Sequence, residues 1–197
     1  QAPELDLVFV MDMTRSMQPY LDTTKSTLAN LAGKLAAHYS DNGNRASRLR
    51  FGLIGYRDNI KTVPGLEFTS RNFTPQLVDP RVLVEILDSK ARAALVGSKD
   101  YPEEVYAGIK SAIDETAWRK DSLKIVILVG DASAHDVGHE QNSTGLDAKA
   151  LRRLARDRQI HLMAIHLKDP RTNYDHAIAQ TQFADLTHVQ GGRDKSA

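Results

Sequence analysis

The chain begins with an apolar run, Leu7-Val8-Phe9-Val10-Met11, that stops at Asp12. Such a run reads as a strand buried on both faces of a parallel sheet. Leu21, Leu28, Leu31 and Leu35 then recur at helical spacing up to about Ser40, and Pro19 suits the first turn of that helix. Asp41-Asn42-Gly43-Asn44 has turn chemistry. Leu49 to Tyr56 predicts a second strand. After the turn at Val63-Pro64-Gly65, Leu66-Glu67-Phe68-Thr69 predicts a short antiparallel return strand. Asp79-Pro80 opens a helix with Val82, Leu83, Ile86 and Leu87 on its inner face.

Gly97-Ser98-Lys99-Asp100-Tyr101-Pro102-Glu103-Glu104 breaks the pattern and reads as a loop running into a helix, with proline and acids in the first turn. Val105, Ile109, Ala112, Ile113 and Thr116 form the buried stripe, and Trp118 is expected near the far end. Leu123 to Val129 is a second strongly apolar strand, ended by Gly130-Asp131. A polar loop, Ala132 to Thr144, leads to a helix over Asp147 to Gln159, with Ala150, Leu151, Leu154 and Ala155 facing in. Ile160 to Leu167 is a further strand, Lys168 to Asn173 a loop, and Asp175 to about Asp185 a last helix. Strands that alternate with helices predict an α/β, Rossmann-like, doubly wound sheet. It is mostly parallel, with one antiparallel edge strand and helices on both faces.

Length and composition narrow this picture. The 197 residues suit one domain with a sizeable core. A formal net charge of +1 provides no global field toward nucleic acid or an anionic membrane. There is no cysteine, which excludes disulfides, thiolate metal sites and cysteine nucleophiles. No apolar run is long enough to span a bilayer. Residues 1–4 are expected to be a linker remnant of a longer protein, residues 5–190 the domain, and residues 191–197 a tail.

The candidate chemistry sits at strand ends. Asp12 and Asp131 both close buried strands, and parallel strands put their carboxyl ends on one edge, where open α/β sheets bind ligands. Thr14 and Ser16 follow Asp12 at alternate positions, and the loop holding Asp100 should open on the same edge. Three carboxylates and two hydroxyls are thus expected to converge. Two carboxylates ~5 Å apart at an effective dielectric of ~20 repel by roughly 3 kcal/mol. A divalent ion reverses the sign. Hard oxygen donors suit Mg²⁺, with Mn²⁺ or Ca²⁺ as alternatives, rather than Zn²⁺. Thr14 and Ser16 alone would be explained by turn-making and capping; the three segments together point to a metal.

Other residues read more plainly. His135 and His139, near Asp136 and Glu140, have a spacing that suits Zn²⁺ only on one helical turn, and Gly138 favours a solvated loop instead. His161 and His166 bracket a strand. Lys149, Arg152, Arg153, Arg156 and Arg158 form a basic helix face, read as solvated rather than nucleic-acid binding. Arg57-Asp58 is expected to form an ion pair behind the metal loop.

With these residues in hand, the chain resembles a von Willebrand factor type A domain. The metal-ion-dependent adhesion site (MIDAS) of that family reads D-x-S-x-S after the first strand, adds a Thr or Asp from a middle loop, and ends with an Asp after a later strand. Asp12, Thr14, Ser16, Asp100 and Asp131 match it, with Thr14 in place of the usual first serine. The resemblance implies that Thr14 and Ser16 coordinate directly and the aspartates directly or through water. It also implies that a protein partner completes the shell with an Asp or Glu, and that the domain itself is not an enzyme. No nucleic-acid partner and no direct membrane contact are expected. Gly97-Ser98-Lys99-Asp100-Tyr101-Pro102-Glu103 with Trp118 is similar to the Gly-Gly-Gly-Asp-x-Pro-Glu subgroup attached to bacterial protein kinases, lacking two of its glycines. That likeness implies the C-terminal, regulatory or sensory domain of a membrane-anchored serine/threonine kinase associated with type VI secretion, placed in the periplasm, with the cytoplasm as the alternative. It also implies a final strand and helix, for which no pattern follows Gly191.

Two readings compete. One is a Mg²⁺-dependent phosphohydrolase of the haloacid dehalogenase class, with Asp12 as nucleophile and Asp131 and Asp136 as metal-binding acids. Thr14 stands where most such enzymes carry a second Asp, and Met13 and Arg15 depart from the ion-pump signature. The other is a metal-free scaffold that keeps the fold, which needs a conformational reason such as a rearranged Asp100 loop.

Overall fold

The computed structural model describes residues 3–41 and 48–188. The predicted turn over 42–44 and the tail over 191–197 lie outside the described residues. Five strands form one sheet in the order β3-β2-β1-β4-β5: β1 Leu5–Asp12, β2 Leu49–Tyr56, β3 Ser70–Asn72, β4 Leu123–Gly130 and β5 Ile160–His166. β1 pairs in parallel with β2 and β4, β4 with β5, and β3 runs antiparallel to β2. The helices are α1 Leu21–Asp41, α2 Pro80–Lys90, α3 Val105–Glu115, α4 Ala148–Asp157 and α5 Asn173–Thr187.

The central place of β1 follows from its sequence. All eight of its residues are buried. Leu5, Leu7, Phe9 and Met11 join the core under α1 and α2, while Val8 and Val10 join the core under α3, α4 and α5. A strand with no polar face has nowhere to go but the middle of a two-sided sheet. The chain turns to one side of β1 for β2 and to the other for β4, so the order reverses between β1 and β4. A crevice opens at the carboxyl ends of strands at such a switch point.

Several expectations shift by a few residues, for identifiable reasons. Pro19 precedes α1, because a 3-10 turn over Arg15–Met17 delays the helix to Leu21. The return strand is Ser70–Asn72 rather than Leu66–Thr69. Leu66 and Phe68 are buried in loop packing instead, Phe68 edge-on to Phe73 at 5.9 Å, which leaves the polar triplet to pair with the sheet edge. α3 starts at Val105 with Glu104 as its N-cap, so Pro102 and Glu103 lie before the helix. Leu154 is 39% exposed rather than inward, and the buried stripe of α4 is Ala148, Leu151 and Ala155. The basic face of α4 is partly spent on clamps: Arg152 donates to the Asp185 carbonyl, and Arg158 pairs with Asp114 at 3.1 Å.

The amino end of the sheet is closed by a buried acid. Asp6 is fully buried and accepts from the Arg119 amide at 2.8 Å, the Arg119 Nε at 2.7 Å and the Ser122 hydroxyl at 2.8 Å. Glu4 adds a longer contact to Arg119 at 3.4 Å. Trp118 caps the same end, its Nε1 donating to the Ala112 carbonyl at 3.0 Å. Removing one partner of a buried charge network strands the others. Asp6→Ala is therefore expected to destabilise the fold by ~3–5 kcal/mol in urea unfolding; a loss below ~1 kcal/mol would contradict this account of the network.

Candidate metal centre

The far end of β1 delivers Asp12 with no exposed surface. The chain then folds back on that carboxylate. The Thr14 amide and hydroxyl both donate to Asp12 Oδ1, at 2.8 and 2.5 Å. Ser16, inside the 3-10 turn, brings its hydroxyl 3.0 Å from that of Thr14 and donates to Asp131 Oδ1 at 3.2 Å. The sheet register sets Met11 opposite Val129, so Gly130 lies beside Asp12 and Asp131 follows. A side chain at position 130 would collide with the Tyr56 hydroxyl and crowd Asp12, so glycine is what lets the two strand ends approach. Asp12, Thr14, Ser16 and Asp131 are thus one cluster, built from two strands 115 residues apart between Ser16 and Asp131.

The cluster concentrates negative charge. Asp12 and Asp131 are both fully buried. The bonds they receive come from neutral donors: Thr14 and Ser16, then Tyr56 to Asp12 Oδ2 at 3.3 Å and Tyr101 to Asp131 Oδ2 at 2.8 Å. Burial, and next the Asp131 carboxylate, push the Asp12 carboxyl well above its ordinary range, against the bonds from Thr14. Glu103, 5% exposed, is raised in the same way, by burial first and then by the neighbouring side chain of Asp58. Hydroxyl and carboxylate oxygens around excess buried charge fit a hard divalent cation.

Asp100 does not join this cluster. Its carboxylate accepts from Gln141 at 3.1 Å and lies 2.9 Å from His135 Nε2. Burial works to raise it, but the bonds from His135 and Ser98 outweigh that and hold it below its ordinary value. The physical reason for its position is the loop's own anchoring. Asp58 accepts from the Ser98 amide at 3.1 Å, and the Glu103 amide donates to the Ser133 carbonyl at 2.8 Å. Tyr101, the next residue, is the one that reaches Asp131.

A family model of the von Willebrand factor type A domain matches residues 6–187. The chain belongs to the von Willebrand factor type A family. It is 31% identical over 133 residues to the alpha-protein kinase vwkA of Dictyostelium discoideum, covering 66% of this chain and 19% of that one. The fold matches proximal thread matrix protein 1 of the mussel byssus with a zinc-occupied MIDAS motif, at TM-score 0.63 and 14% identity, over 94% of this chain and 39% of that one. It also matches the pilus adhesin SpaC of Lactobacillus rhamnosus GG, at TM-score 0.65 and 13% identity, over 95% of this chain and 28% of that one. The chain therefore spans well under half of the proteins it resembles.

Several residues that position the von Willebrand A site carry no sequence signal. Tyr56 and Tyr101 are ordinary tyrosines until the fold aims their hydroxyls. Asp175, at the start of α5, is buried and accepts from the Ser133 amide at 2.7 Å and the Ser133 hydroxyl at 2.5 Å, two residues past Asp131. Gln182, further along α5, bonds both the amide and the carbonyl of Ala134, at 2.7 and 2.9 Å. His135 is buried rather than solvated, stacked on His139 at 4.6 Å. Among the described residues, no group of three His, Cys, Asp or Glu is placed to hold an ion. Arg57 does not pair with Asp58; it reaches Glu67 at 3.6 Å and the Arg92 carbonyl at 2.9 Å. His166 ends β5 and packs edge-on to His176 and Phe183.

The raised acids have a consequence for stability. From the ordinary carboxylate value of 3.8 up to the raised value of Asp12, the folded domain holds a proton that the unfolded chain has lost. Stability is therefore present at low pH in this window, falls as pH rises through it, and levels off above. In a chelator, the melting temperature is expected to drop between pH 5 and pH 8. Asp12→Asn is expected to melt ~2–4 °C above the parent at pH 8, equivalent to ~1 kcal/mol. A parent domain that grows more stable over that pH span would refute the charge assignment.

Proposed function

We propose that this von Willebrand A domain is a protein-interaction module that holds a divalent cation through Asp12, Thr14, Ser16 and Asp131. The observation that carries the reading is the pair of buried carboxylates at the switch point, bonded to neutral hydroxyls and an amide. A cation bound there supplies a positive centre that accepts a carboxylate oxygen. Asp100 is the outer member: once released from His135 and Gln141, its exposed carboxylate joins the ion directly or through water. The all-oxygen set favours Mg²⁺, with Mn²⁺ or Ca²⁺ as alternatives. The zinc-occupied site of the mussel byssus protein supports a divalent ion in this fold.

A partner's Asp or Glu is the last oxygen donor in this reading. Von Willebrand A domains are in general non-catalytic interaction modules, and the haloacid dehalogenase reading finds no support in the family match. Membership of a larger kinase, as its regulatory or sensory part, is supported by the likeness of residues 97–103 to the kinase-attached subgroup and by the kinase relative vwkA. Association with bacterial type VI secretion and a periplasmic location rest on that loop likeness alone. Among the described residues, no helix is long and apolar enough to cross a membrane.

Thermal melts with added metal test the site. Mn²⁺ or Mg²⁺ at ~100 times its dissociation constant is expected to stabilise the fold by ~2.7 kcal/mol. Asp12→Ala and Asp131→Ala should abolish the shift, whereas Asp100→Ala should keep part of it. A melt unmoved by millimolar concentrations of either ion would sink the proposal. Partner binding should vanish with a chelator and with Asp12→Ala.

A further inference from the structure

A groove of about 700 Å³ runs beside the candidate metal loop, between the start of α1, the end of α2 and the segments 65–73 and 92–96. It begins at Gln18 and Leu21, just after Ser16, and the Ala94 amide donates to the Met13 carbonyl at 2.9 Å, which ties its far wall to the same loop. Lys25, Arg57, Arg71, Lys90 and Arg92 line it, against Asp22, Glu67 and Asp88. Among the described residues, the acid contact of Arg57 and Arg71 is a loose one: Glu67, 68% exposed, sits 3.6 Å from Arg57 and 3.8 Å from Arg71. Arg57 and Arg71 instead flank the Phe68 ring, at 4.3 and 4.5 Å from its centroid.

The cations are undercompensated. Burial and then Arg92 lower the Lys25 ammonium below its ordinary value. Arg57 is 6% exposed, and its Nε has no hydrogen-bond partner. A buried guanidinium N–H without an acceptor favours a ligand that brings one. The rim is apolar. Leu95 is 89% exposed and Val96 36%, side by side on the segment that forms the groove's wall. Excess positive charge with an adjoining apolar patch is complementary to a chain that is both acidic and partly apolar.

We propose that this groove docks an acidic segment of a protein partner, its carboxylates on Arg57, Arg71 and Arg92 and an apolar side chain against Leu95 and Val96. The segment lies next to the candidate ion, so one partner strand can occupy both. The inference extends the metal reading to the partner's chemistry but stands on different residues, and the two fail separately.

Fluorescence polarisation with a labelled octapeptide of six glutamates, one leucine and one phenylalanine tests it on the wild-type chain and two variants. The expected result is binding that persists in a chelator and weakens with salt. It should fall ~10-fold in the double variant Arg71→Glu/Arg92→Glu and ~3-fold in Leu95→Ser, both at exposed positions. The Mn²⁺ melt shift measured on the same variants reports that they are folded and keep the ion. Equal binding of the peptide with glutamines for glutamates would overturn the proposal. So would binding that requires Mn²⁺ and ignores Arg71→Glu/Arg92→Glu, an outcome that leaves the metal reading intact. An octathymidylate that competes as well as the peptide, with Leu95→Ser without effect, would overturn it in favour of a nucleic acid.

Discussion

Two carboxylates buried against each other at the ends of neighbouring parallel strands are the constraint around which this domain is arranged. Repulsion between them works against folding, and the donors nearby blunt it. Hydroxyls of Thr14, Ser16, Tyr56 and Tyr101 and the Thr14 amide donate into the pair. Asp12 is driven toward its protonated form by burial and by Asp131. β1 and β4, buried along most of their length, hold the two strand ends in place. A divalent cation placed between the two carboxylates would reverse the sign of that repulsion.

The loops that frame the pair are fastened by a second layer of polar contacts. Asp58 holds the amide of Ser98, the Glu103 amide reaches Ser133, and Glu104 accepts from the amide and hydroxyl of Ser143. On the other side, Asp175 and Gln182 clip α5 to Ser133 and Ala134. The loop leaving β4 is therefore gripped from both flanks, which keeps Asp131 in register with Asp12. Asp100 stands apart from the grip, on the exposed part of its loop, bound to His135 and Gln141.

A sheet of this type hosts unrelated chemistries, so the fold by itself says little about what is done at its edge. What distinguishes this edge is the donor set: oxygen atoms alone, two of them from hydroxyls, with no nitrogen or sulfur among them. Beside it, the groove between α1 and α2 carries charge of the opposite sign. The cation proposed at that edge and the docking segment proposed for the groove beside it would both favour an acidic partner.

The apolar runs ending at Asp12 and Gly130-Asp131 were legible because a strand buried on both faces leaves an unbroken hydrophobic signature, and two such strands in a parallel sheet must end on one edge. That reasoning reached the sheet, its helices and the pairing of Asp12, Thr14 and Ser16 with Asp131. It failed where the outcome depends on contacts between segments remote in sequence. Asp100 was expected to converge with Asp12 and Asp131 because its loop opens on that edge, yet its carboxylate is held by His135 and Gln141, which come from a loop whose path carries no periodicity. The return strand moved from Leu66–Thr69 to Ser70–Asn72 because Phe68 found an aromatic neighbour in Phe73. Arg57 passed over the adjacent Asp58 for Glu67 and a carbonyl. Periodicity reports whether a side chain is buried; which polar group it meets once buried is decided by tertiary packing, because a hydrogen bond depends on angstrom-scale distance and direction that no local pattern encodes.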